Sequence, residues 1–174
     1  PKRTIPLRKC DVRLWHKGTI LDHAAPLSTL LRADSATISI ANTKNGTKGA
    51  FVHHYAIHGA ICPVAALGRR ISNLNGLSPT TPLSTVIITP MTKLTISDRD
   101  ITIAVRWGAT YDCLLTRGYT LDRVSSHSLH AGGAMAMKLS GASDSTIMRV
   151  GRWTSLTYLT YIHTQIGALT SGVA

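Results

Sequence analysis

The chain has 174 residues, 44% of them hydrophobic, which suits one globular domain with a real core. Nineteen Lys and Arg against eight Asp and Glu give a formal charge of +11, pointing to a polyanionic partner: nucleic acid first, although ribosomal and membrane-surface proteins share the bias. One Phe beside three Trp and five Tyr argues against a single-strand module of stacked aromatics and leaves duplex phosphate binding as the better fit, while Cys10, Cys62 and Cys113, odd in number and far apart, argue against a disulfide framework or a zinc ribbon.

The basic lead PKRTIPLRK lacks the apolar core of a signal peptide, and no apolar run approaches bilayer length. We expect an intracellular protein, nuclear if eukaryotic, with no membrane partner. Residues 10–15 (CDVRLW) alternate apolar and polar, Lys17-Gly18 turns the chain, and residues 19–21 return as a hairpin. Residues 26–31 predict a short helical turn. Residues 36–42 (ATISIAN) and 50–55 (AFVHHY) read as two more strands around TKNGTKG, where Asn45-Gly46 is a strong hairpin-turn signal.

His53 and His54 fall on opposite strand faces and, with His58, lack acidic or cysteine companions, so no metal site is predicted. A helix follows from about Pro63, with Val64, Leu67 and Ile71 on its apolar face and Arg69-Arg70 on a solvated or DNA-facing edge. Residues 75–82 (NGLSPTTP) are loop, and residues 85–89 are a short β-branched strand or extended segment. Ser97 or Asp98 then caps a long helix predicted to run through Leu114 and Leu115 to Gly118, with Arg123 beyond it. A small antiparallel sheet followed by a mainly helical cluster makes the expected class α+β.

Residues 126–161 hold the densest chemistry. Ser125-Ser126 open a helix through Ala131, Ala134, Met135 and Leu139, on which His127 and His130, three apart, point the same way. Gly141 stops it, Ser143 or Asp144 starts a second helix ending at Gly151, and Trp153 leads into a third, from residue 156 to about 169. Taken singly each residue has an ordinary reading. A Tyr or Trp in an amphipathic helix is more often core than catalytic, as Tyr158 illustrates; the joint order Lys, His-x-x-His, Gly-x-Trp, Tyr is what points to a site.

The strings HSLHAGGAMA and GRWTSLTYLTYIH resemble the last two motif boxes of the tyrosine recombinases (phage integrase family), most closely those of DIRS-like, Ngaro-like and Crypton-like mobile elements. The resemblance implies that Tyr161, eight residues after Trp153, is the nucleophile, that His127 exchanges its proton, and that Trp153 donates its indole N–H to a phosphate oxygen. It places the leaving-group lysine on the β-hairpin, Lys44 being the better match, with Lys48, Arg123 and Arg152 as phosphate contacts. His130 stands where the family has arginine, and imidazole is a weaker phosphate clamp than a permanently charged guanidinium.

The family's first catalytic arginine and its N-terminal DNA-clamping domain find no counterpart here. We therefore expect one catalytic-domain fragment over residues 1–174, without those upstream parts. The chemistry implied is breakage and rejoining of double-stranded DNA through a 3′-phosphotyrosyl link, in DNA integration and recombination, with no metal or other cofactor and with a tetrameric synapse as the family's assembly. With two clamping arginines unaccounted for, the expectation is a degraded or inactive copy, since losing one charged transition-state donor costs on the order of 100-fold in rate. The alternative reading is a non-catalytic basic DNA- or RNA-binding module.

Overall fold

Alternation of apolar and polar side chains builds the first strands. The computed structural model describes residues 6–42, 48–59, 61–153, 155 and 158–159, apart from the side chains of Asn42 and Lys48. Strand β1 (Val12–His16) buries Val12 and Leu14 and leaves Arg13 exposed. Lys17 and Gly18 both take positive φ, 49° and 78°, the two-residue turn that matches strand twist, and β2 (Thr19–Ile20) returns beside β1. Strands β3 (Ser35–Asn42) and β4 (Lys48–Tyr55) pair antiparallel from Ser35 with Tyr55 to Asn42 with Lys48, giving a four-stranded sheet ordered β2-β1-β3-β4.

One sheet face is covered by the helices α1 (Leu27–Leu30) and α2 (Pro63–Asn73). Helix α2 starts with Pro63 in its first turn and Cys62 as cap, the thiol accepting from the Ala65 N–H at 3.5 Å. It buries Val64 and Ile71 against Val12, Leu14, Leu30 and Ala36. Burying each large aliphatic side chain is worth roughly 1.5–3 kcal/mol. A Cβ on Gly68 would sit 3.1 Å from the Leu30 carbonyl oxygen, so the close approach of α1 and α2 depends on that glycine.

The far end of α2 is closed by buried Lys9, whose Nζ donates to the Leu74 and Leu77 carbonyls at 3.2 and 3.4 Å. Arg70 corrects an expectation. It is not a solvated or DNA-facing edge; its Nε donates to the Leu83 carbonyl at 2.5 Å and its Nη2 to the Thr85 carbonyl, tying α2 to the chain that follows. That chain is a hairpin of β5 (Thr85–Thr89) and β6 (Thr92–Thr95), the second strand being one the sequence pattern did not reveal.

The chain divides into two compact units, one through Ile96 and one from Ser97. The second is helical. Ser97 caps α3 (Asp98–Tyr111) in a reciprocal box with Asp100. The long helix expected through Leu115 is instead cut at Cys113, which takes φ 55°, and the chain tightens into a 3-10 turn over Leu114–Arg117. Thr110, Tyr111, Asp112 and Cys113 are all weak helix formers, which is why the helix gives way there. Helix α4 (Ser126–Leu139) ends near Gly141 at φ 82°, and Ser143 caps α5 (Asp144–Gly151).

Ala134, Met135, Ile147 and Tyr158 form the core of this unit. The chain is thus α+β, a small antiparallel sheet with several helices. Among the described residues no helix is long and apolar enough to cross a membrane.

Candidate functional site

Helix α3 fixes the entrance to the site. Asp98, Thr102 and Arg106 are four residues apart and so share one face. The Asp98 carboxylate accepts from the Ser126 hydroxyl at 2.5 Å, the Thr102 hydroxyl accepts from the Ser126 N–H at 3.3 Å, and Arg106 Nε donates to the Val124 carbonyl at 2.9 Å. Ser125 and Ser128 add a reciprocal capping box. The first turn of α4, with His127 on it, is held from two sides. Sequence reasoning missed this support, although the four-residue spacing on α3 was there to be read.

His127 and His130 lie one turn apart with ring centroids 6.1 Å from each other. The series continues through His130 to Trp153 at 4.3 Å and from Trp153 to Tyr158 at 5.5 Å. Three of the predicted residues, His127, His130 and Trp153, are therefore brought together, and Tyr158 joins as a fourth ring. Partial burial, then the charges of His127 and Arg152, hold the His130 imidazole below its ordinary pKa, so it is neutral near pH 7.

The Gly-x-Trp pattern has a direct steric cause. A Cβ at Gly151 would fall inside the Trp153 ring, so only glycine lets the indole fold back over the end of α5. Arg152 makes the reversal in the left-handed region at φ 56°, and the Trp153 N–H closes the helix on the Met148 carbonyl at 2.9 Å. A non-glycine residue held there costs roughly 1–2 kcal/mol. The exposed Arg152 guanidinium is thereby placed where its charge acts on His130.

Tyr158 is fully buried, and among the described residues its hydroxyl makes no well-formed hydrogen bond, although the Asp144 carboxylate is near enough to act on it. Burial first, and then the nearby Asp144 carboxylate, push its phenol up to about 12, the wrong direction for a nucleophile. Asp144 itself is paired to Lys138 at 2.7 Å across the corner between α4 and α5. Tyr158 is a packing residue that supports Trp153.

The other predicted residues fall elsewhere. Tyr161 and Lys44 lie outside the described residues. Lys48 opens β4 in the first unit, its backbone paired to Asn42. Arg123 is exposed in a 3-10 turn four residues before His127. Among the described residues no three His, Cys or acidic side chains gather as metal ligands do. The described residues thus bring together two imidazoles and an indole, with the Arg152 guanidinium near enough for its charge to act on His130.

Comparison of the chain with family models, with curated proteins and with solved structures finds no match.

Proposed function

We propose that this chain is a DNA-binding domain of the tyrosine recombinase type, which takes duplex DNA phosphates at His127, His130, Trp153 and Arg152 and presents Tyr161 as the nucleophile of strand transfer. The observation that supports the reading is the ring series from His127 to Trp153, joining two sequence motifs more than twenty residues apart on neighbouring helices. In this reading His127 takes the phenolic proton as the Tyr161 oxygen bonds phosphorus, Trp153 and Arg152 hold the negative charge that develops on the phosphorane oxygens, and Lys44 protonates the 5′ oxygen as its bond to phosphorus breaks. His130, neutral where the family has a guanidinium, leaves cleavage very slow or absent in this copy.

A second reading, a basic module that binds without cutting, draws on where the charge lies. The first unit holds twelve Lys and Arg and three Asp, net +9, against seven and five, net +2, in the second. Both readings require salt-sensitive duplex binding, with affinity falling by about 100-fold or more between roughly 50 and 200 mM salt. Fluorescence anisotropy with a duplex and a structured RNA of equal length tests this. Substituting Arg152 by Ala should lower the salt slope by about one phosphate. Tighter binding to the RNA, or a slope unchanged by that substitution, would refute the proposed use of the site.

A further inference from the structure

The first unit contains three aromatic residues of the Phe, Trp and Tyr kind, Trp15, Phe51 and Tyr55. Strand pairing puts all three on the same sheet face. Arg13 pairs with Thr37 and Thr37 with His53, so these three side chains rise on one side. Trp15 is two residues from Arg13, and Phe51 and Tyr55 each lie two from His53. The opposite side bears Val12, Leu14 and Ala36, the face packed by α2.

On this face Phe51 is 61% exposed and Tyr55 76%, although burying either would stabilise the fold, while Trp15 is half-buried over buried Thr37. Trp15 is fixed: its indole N–H donates to the Thr37 hydroxyl at 3.0 Å, and that hydroxyl lies 3.0 Å from His53 Nδ1. The strands β1 to β4 contain no acidic residue, while Arg13 stands exposed among the rings and the unit is net +9. Rings spaced about 10 Å across the sheet and about 14 Å along β4, with Arg13 exposed on the same face, fit a chain of separated flat groups joined by negative charges.

We propose that this sheet face binds single-stranded DNA, unpaired bases stacking on Trp15, Phe51 and Tyr55 while Arg13 and the surrounding charge hold the phosphates. Stacking tolerates any base and needs no duplex groove, so the surface is separate in kind from the phosphate site on α4. A protein partner matches it less well, because the one charged side chain that strand pairing puts on this face, Arg13, is cationic and the unit carries net +9, which favours a polyanion. The choice of DNA over RNA rests on the function proposed above, since strand transfer exposes unpaired DNA.

The test is anisotropy of the full chain with oligothymidine of about 15 nucleotides, its uridine counterpart and a duplex. Phe51→Ala with Tyr55→Ala should weaken oligothymidine binding by about 25-fold or more and duplex binding by less than about twofold. Both side chains are exposed, and an unchanged circular dichroism spectrum verifies the fold. Met91→Ala, removing a 96% exposed apolar side chain from the β5–β6 hairpin, should change nothing. Unchanged oligothymidine affinity in the double variant, or an equal loss on duplex, overturns the stacking face, and tighter binding of the uridine strand overturns its assignment to DNA. Ring-dependent oligothymidine binding without duplex binding keeps this inference and removes the function proposed for α4.

Discussion

On the proposed reading, the two units divide the labour of binding nucleic acid unequally. The first has the larger core, with Val12, Leu14, Leu30, Ala36, Val64 and Ile71 buried together, and it holds net +9 of the total +11. Among the described residues the second has a core cluster of four, Ala134, Met135, Ile147 and Tyr158, leaves Trp107 and Tyr111 exposed at one-turn spacing on α3, and is nearly balanced in charge, yet it holds the candidate imidazole and indole site. Affinity for a polyanion and chemistry on one phosphate make different demands. Long-range attraction needs many charges anywhere on a stable body, whereas the chemistry needs a few groups at fixed distances. A small core suffices for the second only if its rings are rigidly supported.

The largest effects should follow from removing that support. Tyr158→Ala empties a fully buried ring site and should destabilise the second unit by about 3–5 kcal/mol, read by local hydrogen exchange. Tyr158→Phe keeps the ring and removes only a hydroxyl with no well-formed hydrogen bond beside the Asp144 carboxylate, so it should change stability by less than about 1 kcal/mol. A loss in the Phe variant as large as in Ala would show that the hydroxyl, not the ring, supports the site. Next, Gly151→Ala drives a methyl into the Trp153 ring and should cost about 1–3 kcal/mol, with a shift in indole emission as the ring leaves His130. An unshifted spectrum would mean that the indole does not rest on the glycine.

In the first unit the comparable substitution is milder. Thr37→Val removes the acceptor of the Trp15 indole N–H and should cost about 1–2 kcal/mol, measured by chemical denaturation; no loss would leave Trp15 held by packing alone. The smallest effect is pH dependence. Because the folded pKa of His130 lies below its unfolded value, the unfolded chain takes up the proton first as pH falls. Stability should therefore be unaffected by His130 above about pH 6.5 and decline below it. His130→Gln should flatten that decline relative to the unsubstituted chain, and identical pH profiles would mean His130 does not titrate against the fold.

Much of this was legible before any coordinates. Period-two alternation located β1, β3 and β4, Lys17-Gly18 gave the first turn, and serine caps with glycine stops set the ends of α4 and α5. The strand β6 was missed because Thr92–Thr95 is exposed throughout and follows Pro90-Met91, which is not a typical hairpin turn. The break at Cys113 was missed because an apolar period continued across it while helix propensity ran out. His127, His130 and Trp153 were readable as a group since two share a helix and a glycine corner returns the third. The shared face of Asp98, Thr102 and Arg106 was readable from their four-residue spacing, but their partners on α4, like the role of Tyr158, were not, because each partner is distant in sequence. The aromatic sheet face was hidden too, since scarcity of aromatics across the chain says nothing about their gathering on one surface.

On the proposed reading the α4 site acts on a DNA phosphate through Tyr161 and is held back in part by the imidazole at position 130. Covalent capture on a nicked duplex, resolved on a denaturing gel, tests it most directly. His130→Arg should raise the yield of protein–DNA adduct by about 10- to 100-fold over the unsubstituted chain, and adding Tyr161→Phe should abolish it. Adduct absent from the His130→Arg protein, or persisting without the Tyr161 hydroxyl, would contradict the account.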